Sequence, residues 1–238
     1  MDLTPRMAAA ASLVTPGFVT ADIGTDHAYI PIYLVSSGII PSALAMDVRE
    51  GPLARAREHI RESGLESRIQ TRLSDGFKAL LPGEADSALI SGMGGLLMIR
   101  ILSQSPELTD SLQELILQPQ SDIEAVRHYI YDHGFYINAE HMVRDEGKYY
   151  QMFRAVPARG PVPDRFRCTE KAHFMYGRIL TEKRDPVLME YLRGKLASNN
   201  KIARELARQD TPRCRARLAQ LEEEDHIICS LLDAGTAK

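Results

Sequence analysis

The sequence is poor in cysteine and contains no long apolar run. Its 238 residues include three cysteines, which lie far apart and form no CxxC pair. That spacing argues against a disulfide framework and a zinc site, and the histidines show no metal-ligand spacing either. No apolar run approaches the ~20 residues of a membrane-spanning helix, and the first residues lack the pattern of a signal peptide. We therefore expect a protein of the reducing cytoplasm that has no membrane segment and binds no metal.

Acidic and basic residues are unevenly distributed along the chain. The net charge is −3. Residues 1–163 carry 14 basic and 20 acidic residues, whereas residues 164–238 carry 15 and 12. Eight of these C-terminal basic residues lie between residues 193 and 217, where Glu205 and Asp210 are the only acids. Such a tract is either a surface for an anionic partner or a solvated helix face with internal ion pairs.

The first two thirds of the chain alternate between short apolar segments and helical ones. Five segments predict strands: FVTADI, SALAMDV, RIQTRL, DSALIS and ELILQP. Strands of this kind, each followed by a helical segment, are typical of a parallel sheet covered on both faces. Two longer β-rich runs flank residues 145–148 and predict a final hairpin with an antiparallel strand. Ser121 and Glu124 predict a capping box on the helix that follows the fifth strand.

A proline- and glycine-rich stretch, residues 158–166, predicts a linker between two domains. It divides the chain into an α/β domain over residues 1–160 and a helical domain over residues 161–238. In the helical domain, Asp185-Pro186 and Thr211-Pro212 each have the form of an N-cap followed by a first-turn proline. Apolar residues on one face of the two segments predict an antiparallel helical hairpin or short coiled coil.

Polar residues and glycines follow the first four predicted strands. In an open α/β sheet, ligands bind at the carboxyl ends of the strands, where the strand order reverses. Each polar residue or glycine that follows these strands is, taken alone, an ordinary turn residue. Together they predict a ligand site at one edge of the sheet. The predicted ligand-binding residues are Asp22, Gly24, Thr25, Asp26, His27, Asp47, Asp75, Gly76, Gly92 and Met93.

The charges at this edge favour S-adenosylmethionine over a dinucleotide. Asp47 can accept hydrogen bonds from both ribose hydroxyls, and Asp75 can hold an adenine amino group with Phe77 as an apolar neighbour. A dinucleotide places its pyrophosphate at a helix N-terminus over a GxGxxG turn. Here the third glycine is missing, and Asp26 would repel the phosphates. S-adenosylmethionine carries a sulfonium and an ammonium group, which suit Asp22 and Asp26.

The motifs ADIGTDHAYIP, SDGF, SGMGG and ILQPQ, in this order, resemble the bacterial TrmK family. The resemblance continues through the hairpin at DEGKYY and, in organisation only, through the C-terminal helices. It implies a Rossmann-like class I methyltransferase fold of seven strands with a helical, coiled-coil-like C-terminal domain. It also implies S-adenosylmethionine-dependent methylation of adenine N1 at position 22 of tRNA. Two departures from the family pattern are Ser91, where alanine is usual, and Gln120, where asparagine is usual.

Four residues are candidates for the chemistry of such a transfer. Adenine N1 has a free lone pair, so the enzyme has mainly to position it and to accommodate the developing positive charge. Asp26 can stabilise that charge or bind the cofactor ammonium group, and His27 can accept a proton or be structural. Tyr29 can stack on the base or pack on the sheet. Gln118, with Gln120, can read the adenine edge or be part of a polar loop.

The resemblance makes tRNA the expected partner of the C-terminal basic tract, and we expect a monomer. The predicted tRNA-contacting residues are Arg193, Lys195, Lys201, Arg204, Arg208, Arg213, Arg215 and Arg217. Three alternatives stay open at this point. They are a methyltransferase for another RNA, a small molecule or a protein; an NAD-linked oxidoreductase; and a non-catalytic RNA-binding scaffold.

Overall fold

The computed structural model describes residues 2–209 and 211–234, which form one seven-stranded sheet with helices on both faces. The strands are β1 (Thr20–Ile23), β2 (Ala43–Asp47), β3 (Ile69–Leu73), β4 (Ser87–Met93), β5 (Glu114–Pro119), β6 (Phe135–Asp145) and β7 (Lys148–Pro157). Their order across the sheet is β3-β2-β1-β4-β5-β7-β6.

The helices follow the predicted alternation with the strands except between β3 and β4, which are joined by turns without a helix. They are α1 (Pro5–Ala11), α2 (Tyr29–Ser36), α3 (Glu50–Glu62), α4 (Gly95–Ser103), α5 (Pro106–Ser111), α6 (Ile123–Asp132), α7 (Lys171–Tyr176), α8 (Arg178–Glu182), α9 (Pro186–Leu206) and α10 (Pro212–Asp233). A short 3-10 helix spans Asp164–Phe166. Within the described residues, no helix is both long and apolar enough to span a bilayer.

The strand pairing confirms the predicted fold class. Strands β1 to β5 are parallel to one another, and β7 runs antiparallel between β5 and β6. The hairpin turns at Glu146 and Gly147, both of which have positive φ angles, as a two-residue turn between twisted strands requires. The carboxyl ends of β1 to β4 therefore meet at one edge of the sheet, as the sequence predicts.

Two local predictions are wrong or incomplete. The capping box at Ser121 and Glu124 does not form, because Asp122 takes a left-handed conformation and becomes the N-cap of α6 without a side-chain cap. The Ser121 hydroxyl instead donates to the Asp122 carboxylate at 2.6 Å. The six-residue helix α5 was not predicted, since a segment this short shows no clear apolar periodicity.

The predicted helical hairpin is present in α9 and α10. Oδ1 of Asp185 accepts hydrogen bonds from two backbone N–H groups of α9, and Oγ1 of Thr211 accepts one from the N–H of Cys214. Leu192 and Ile228 are fully buried in the apolar cluster that joins the two helices to each other and to β6. The capped helices therefore form a packed unit attached to the sheet.

A buried ion pair connects the sheet to the segment that precedes the hairpin. Arg127 on α6 and Glu140 on β6 pair at 3.0 Å, and both side chains are almost completely buried. Arg127 also donates to the backbone carbonyls of Phe174 and Met175, and Glu140 accepts from the backbone N–H of Ile179. Helices α7 and α8 are thus hydrogen-bonded directly into the α/β core.

Candidate cofactor and catalytic site

A cavity of about 490 Å³ opens at the carboxyl ends of β1 to β4. All ten predicted ligand-binding residues line it, from Asp22 at the end of β1 to Met93 at the end of β4. The cavity therefore brings together side chains from four separate turns, as the parallel strand order requires.

Asp22 is the most deeply buried carboxylate of the cavity. Its Oδ2 accepts a hydrogen bond from the Thr25 hydroxyl at 2.6 Å. The pKa of Asp22 is raised to about 7, mainly by burial; the Thr25 hydrogen bond lowers it, and the nearby Asp47 charge adds a smaller rise. A carboxylate that is costly to ionise here is stabilised by a cationic ligand.

Gly24 and Met93 fix the shape of the turn after β1. Gly24 has a φ angle of 76°, which glycine adopts without strain. A Cβ atom added at Gly24 would collide with Cε of Met93. A larger residue would therefore strain the backbone at this turn and would displace the end of the Met93 side chain.

Asp47 connects the turns after β1 and β2. Its Oδ2 accepts from the backbone N–H of Asp26 at 3.3 Å, and its Oδ1 accepts from that of Arg49 at 2.9 Å. Each oxygen has lone pairs left over. The carboxylate is therefore held rigidly at the end of β2, where it can accept hydrogen bonds from a diol.

The far end of the cavity, at the ends of β2 and β3, is partly apolar. Val48 is 59% exposed and lines the cavity, as does Ile101. Phe77, the expected apolar neighbour, lies instead in the core at 2% exposure. Asp75 lines the cavity and pairs with Lys78 at 2.6 Å; this hydrogen bond and charge lower the pKa of Asp75.

Asp26, His27 and Tyr29 lie together at the rim. Asp26 is half-exposed, with carboxylate oxygens 3.6 Å from Arg55 Nη2 and 3.7 Å from His27 Nε2. The rings of His27 and Tyr29 stack at 5.2 Å, and the ring of His59 on α3 stacks against both. His59 showed no such role in the sequence, because it comes from a helix 30 residues further along.

Gln118 does not reach the cavity. Its side chain is completely buried below the turn after β4, and its Oε1 accepts from the backbone N–H of Gly92 at 3.0 Å and from Nη1 of Arg6 at 3.1 Å. The expectation that Gln118 reads the adenine edge therefore does not fit its position, and its contacts hold the turn after β4. Gln120, just beyond the end of β5, lines the cavity instead.

Comparison with known proteins identifies the class to which this cavity belongs. A family profile described as "Methyltransferase domain" matches residues 3–153, which contain all of the cavity-lining turns. The chain belongs to this methyltransferase family.

Relatives of this methyltransferase confirm its resemblance to the TrmK family. It is 28% identical over 237 residues to the tRNA (adenine(22)-N(1))-methyltransferase of Bacillus subtilis, covering 99% of both chains. It is similar to the crystal structure of the B. subtilis tRNA methyltransferase TrmK, with a TM-score of 0.87, 28% identity and coverage of 98% and 99%. It is also similar to Streptococcus pneumoniae Sp1610 in complex with S-adenosyl-L-methionine, with a TM-score of 0.83, 28% identity and coverage of 97% and 100%.

The basic tract of the methyltransferase lies on α9, on α10 and in the turn that joins them. Seven of its eight residues are exposed, among them Arg204 and Arg208. The exception is Lys195, which is half-buried and pairs with Glu224 of α10 at 3.0 Å. Lys195 therefore contributes to the packing of the helical hairpin, whereas the other seven present their charges at the surface.

Sequence reasoning missed several residues of the methyltransferase cavity. Arg6, Arg49 and Arg100 all line it. Arg49 follows β2 directly, so its position could have been found from the same strand-end argument that selected Asp47. Arg6 comes from α1, and no local pattern places that helix beside the ends of β4 and β5.

Proposed function

We propose that this protein transfers a methyl group from S-adenosylmethionine to N1 of adenine at position 22 of tRNA. The observation that carries the proposal is the cavity at the ends of β1 to β4, which is lined by buried acidic residues and by apolar side chains. The chain that forms this cavity is similar over 99% of its length to a tRNA (adenine(22)-N(1))-methyltransferase.

The lining residues fit the parts of the cofactor one by one. Asp47 would accept the ribose hydroxyls, Val48 and Ile101 would line the adenine, and Asp22 would hold the ammonium group. When bound, the cofactor supplies an electrophilic methyl group on a sulfonium centre. A dinucleotide fits poorly, because Asp22, Asp26 and Asp47 would face its pyrophosphate across a partly buried cavity.

The protein contributes mainly position and charge to the transfer. The adenine N1 lone pair needs no strong base, so the acceptor has to be held in line with the methyl group. Asp26 lies at the rim and stabilises the positive charge that the base acquires. His27 and Tyr29 offer an aromatic surface next to it, and Gln120 offers an amide at the side of the cavity formed by β4 and β5.

The target adenine has to leave its stack before N1 becomes accessible, which costs a few kcal/mol. We propose that the helical domain, residues 161–238, supplies part of this energy by binding tRNA phosphates through the exposed members of the basic tract. Lys195 is left out of this set because of its ion pair with Glu224.

A single assay tests the proposal. The purified protein is incubated with S-adenosylmethionine and an unmodified bacterial tRNA with adenine at position 22, and the digested RNA is analysed by mass spectrometry for 1-methyladenosine. A tRNA substituted at position 22 is the control. We expect 1-methyladenosine in the first tRNA and none in the second. Cofactor binding without any 1-methyladenosine would overturn the assignment of the substrate.

A further inference from the structure

Arg6 is a half-buried cation beside the ends of β4 and β5. Its backbone N–H donates to the carboxylate of Asp145, at the end of β6, at 3.2 Å. Its Nη1 donates to Oε1 of Gln118 at 3.1 Å and to the hydroxyl of Ser91 at 3.4 Å. The hairpin thus fixes the backbone of Arg6, and the strand ends fix its guanidinium group.

None of the carboxylates that the structure describes pairs with this guanidinium group. Within residues 2–209 and 211–234, no carboxylate forms an ion pair with it, and its Nε and Nη2 atoms donate to no protein acceptor. The ring of Tyr150 lies 5.5 Å from its central carbon and covers one side. Partial burial of a cation is unfavourable unless an anion compensates for the lost hydration. An anion that binds beside Arg6 would therefore compensate its charge.

The position of Arg6 favours the acceptor nucleotide over the cofactor as the source of that anion. The residues that fit the ribose and the ammonium group of the cofactor, Asp47 and Asp22, lie at the ends of β2 and β1. Arg6 lies at the ends of β4 and β5, on the other side of β1 in the sheet. Arg6 lines the same cavity as Asp22 and Asp47, but on the side formed by the turn after β4 and by Gln120.

The chemistry of the reaction selects a phosphate rather than the base. Methylation at N1 leaves the adenine ring positively charged, so a guanidinium group against the reacting edge would repel the product. A phosphate carries the opposite charge, and its oxygens match the planar fork of an arginine side chain.

We propose that Arg6 binds a backbone phosphate next to the target adenosine, so that α1 forms part of the RNA-binding surface. This inference rests on the proposed function, because it takes an RNA as the acceptor. Arg6 is a substrate-positioning residue in this proposal, since it holds the nucleotide while other residues face the base.

The test combines protein variants with a modified RNA. The variants are Arg6→Gln, Arg6→Lys and, as a control that removes one exposed charge elsewhere, Arg61→Gln on α3. The substrates are tRNA with natural linkages and tRNA in which the phosphate 5′ or 3′ of adenosine 22 is a neutral methylphosphonate. The measurements are kcat/KM for methylation, the Kd for S-adenosylmethionine and Tm.

We expect Arg6→Gln to lower kcat/KM by about tenfold to a hundredfold, as is typical for loss of a hydrogen bond to a charged group. One neutral linkage should lower the wild-type value by a similar factor and should have no further effect on Arg6→Gln. Arg6→Lys should recover part of the activity, and Arg61→Gln should match the wild type. The Kd for the cofactor and Tm should stay unchanged in Arg6→Gln.

Other outcomes would overturn the inference. If Arg6→Gln and each neutral linkage lower kcat/KM by factors that multiply in combination, Arg6 does not contact either phosphate. Weaker binding of S-adenosylmethionine by Arg6→Gln would assign Arg6 to the cofactor carboxylate. A lower Tm of this variant, together with the same decrease in kcat/KM on every substrate, would make the role of Arg6 structural. If the wild type itself forms no 1-methyladenosine, the proposed function fails. If the wild type and Arg6→Gln are equally active, only the inference about Arg6 fails.

Discussion

At the scale of single residues, Asp22 shows a conflict between stability and binding. Its carboxylate is buried at the end of β1, and burial raises its pKa from 3.8 to about 7. The folded state therefore binds a proton more tightly than the unfolded state, and stability falls as pH rises from the unfolded pKa to the folded pKa. A bound cation reverses this penalty, because it stabilises the ionised form.

The substitution Asp22→Asn should therefore stabilise the free protein while it weakens cofactor binding. We expect the free energy of unfolding to increase by about 2–4 kcal/mol at about pH 8, and this gain should shrink towards zero near pH 4. Urea unfolding across this pH range measures the first effect, and calorimetric titration with S-adenosylmethionine measures the second. A gain that does not depend on pH would show that the ionisation of Asp22 is not its cause.

The sequence predicted the cofactor side of the cavity better than the acceptor side, for a physical reason. Asp22, Asp47 and Asp75 each lie at or just beyond the carboxyl end of a parallel strand, so local alternation alone places them at one edge of the sheet. Gln118 and Gln120 could not be told apart, because the exact end of β5 at Pro119 decides which of them is buried. Arg6 could not be placed at all, since α1 reaches the site through tertiary packing on the hairpin, β5 and α2.

At the scale of elements, the helical hairpin of α9 and α10 carries two kinds of charged residue: those that form contacts between the two helices and those that are exposed to solvent. Lys195 and Asn199 make polar contacts with Glu224 inside the hairpin. The cations near its turn, such as Arg204 and Arg208, are exposed. The packing of the hairpin therefore leaves a set of charges whose removal should not affect folding.

Charge reversal at two of these positions tests their role. The double variant Arg204→Glu, Arg208→Glu should bind tRNA more weakly, and its plot of log Kd against log salt should be flatter by about two, since about two counterions fewer are released. The control Arg61→Glu, Arg159→Glu changes the net charge equally at exposed positions outside the hairpin. Equal affinity of the two variants for tRNA, measured by filter binding, would contradict a role for the tract.

At the scale of the whole molecule, we propose that the α/β part extends beyond the linker that the sequence predicts as its boundary. Arg127 and Glu140 lie in the α/β core, but their hydrogen-bond partners include backbone groups of residues 174–179. The prolines of residues 158–166 mark a connection in the chain, whereas the last contacts needed by the core come about 20 residues later.

Truncated proteins should reveal this difference. A chain that ends at residue 160 leaves the Arg127–Glu140 pair without these backbone partners, and each hydrogen bond lost by a buried charged group costs about 1.5–3 kcal/mol. A chain that ends at residue 184 keeps them. We expect the longer form to fold and bind S-adenosylmethionine and the shorter form to unfold at a clearly lower temperature, as measured by circular dichroism. Equal Tm values would place the boundary at the linker.

The position of β7 between β5 and β6 also determines when the sheet can be completed during synthesis. The five parallel strands leave the ribosome first, but the free edge of β5 has no partner until residue 157 has been made. An unpaired edge of this kind is a template for pairing with other chains. The nascent protein is therefore most exposed to aggregation while residues 120–157 are being translated, and slow codons in this interval would be unfavourable for its yield.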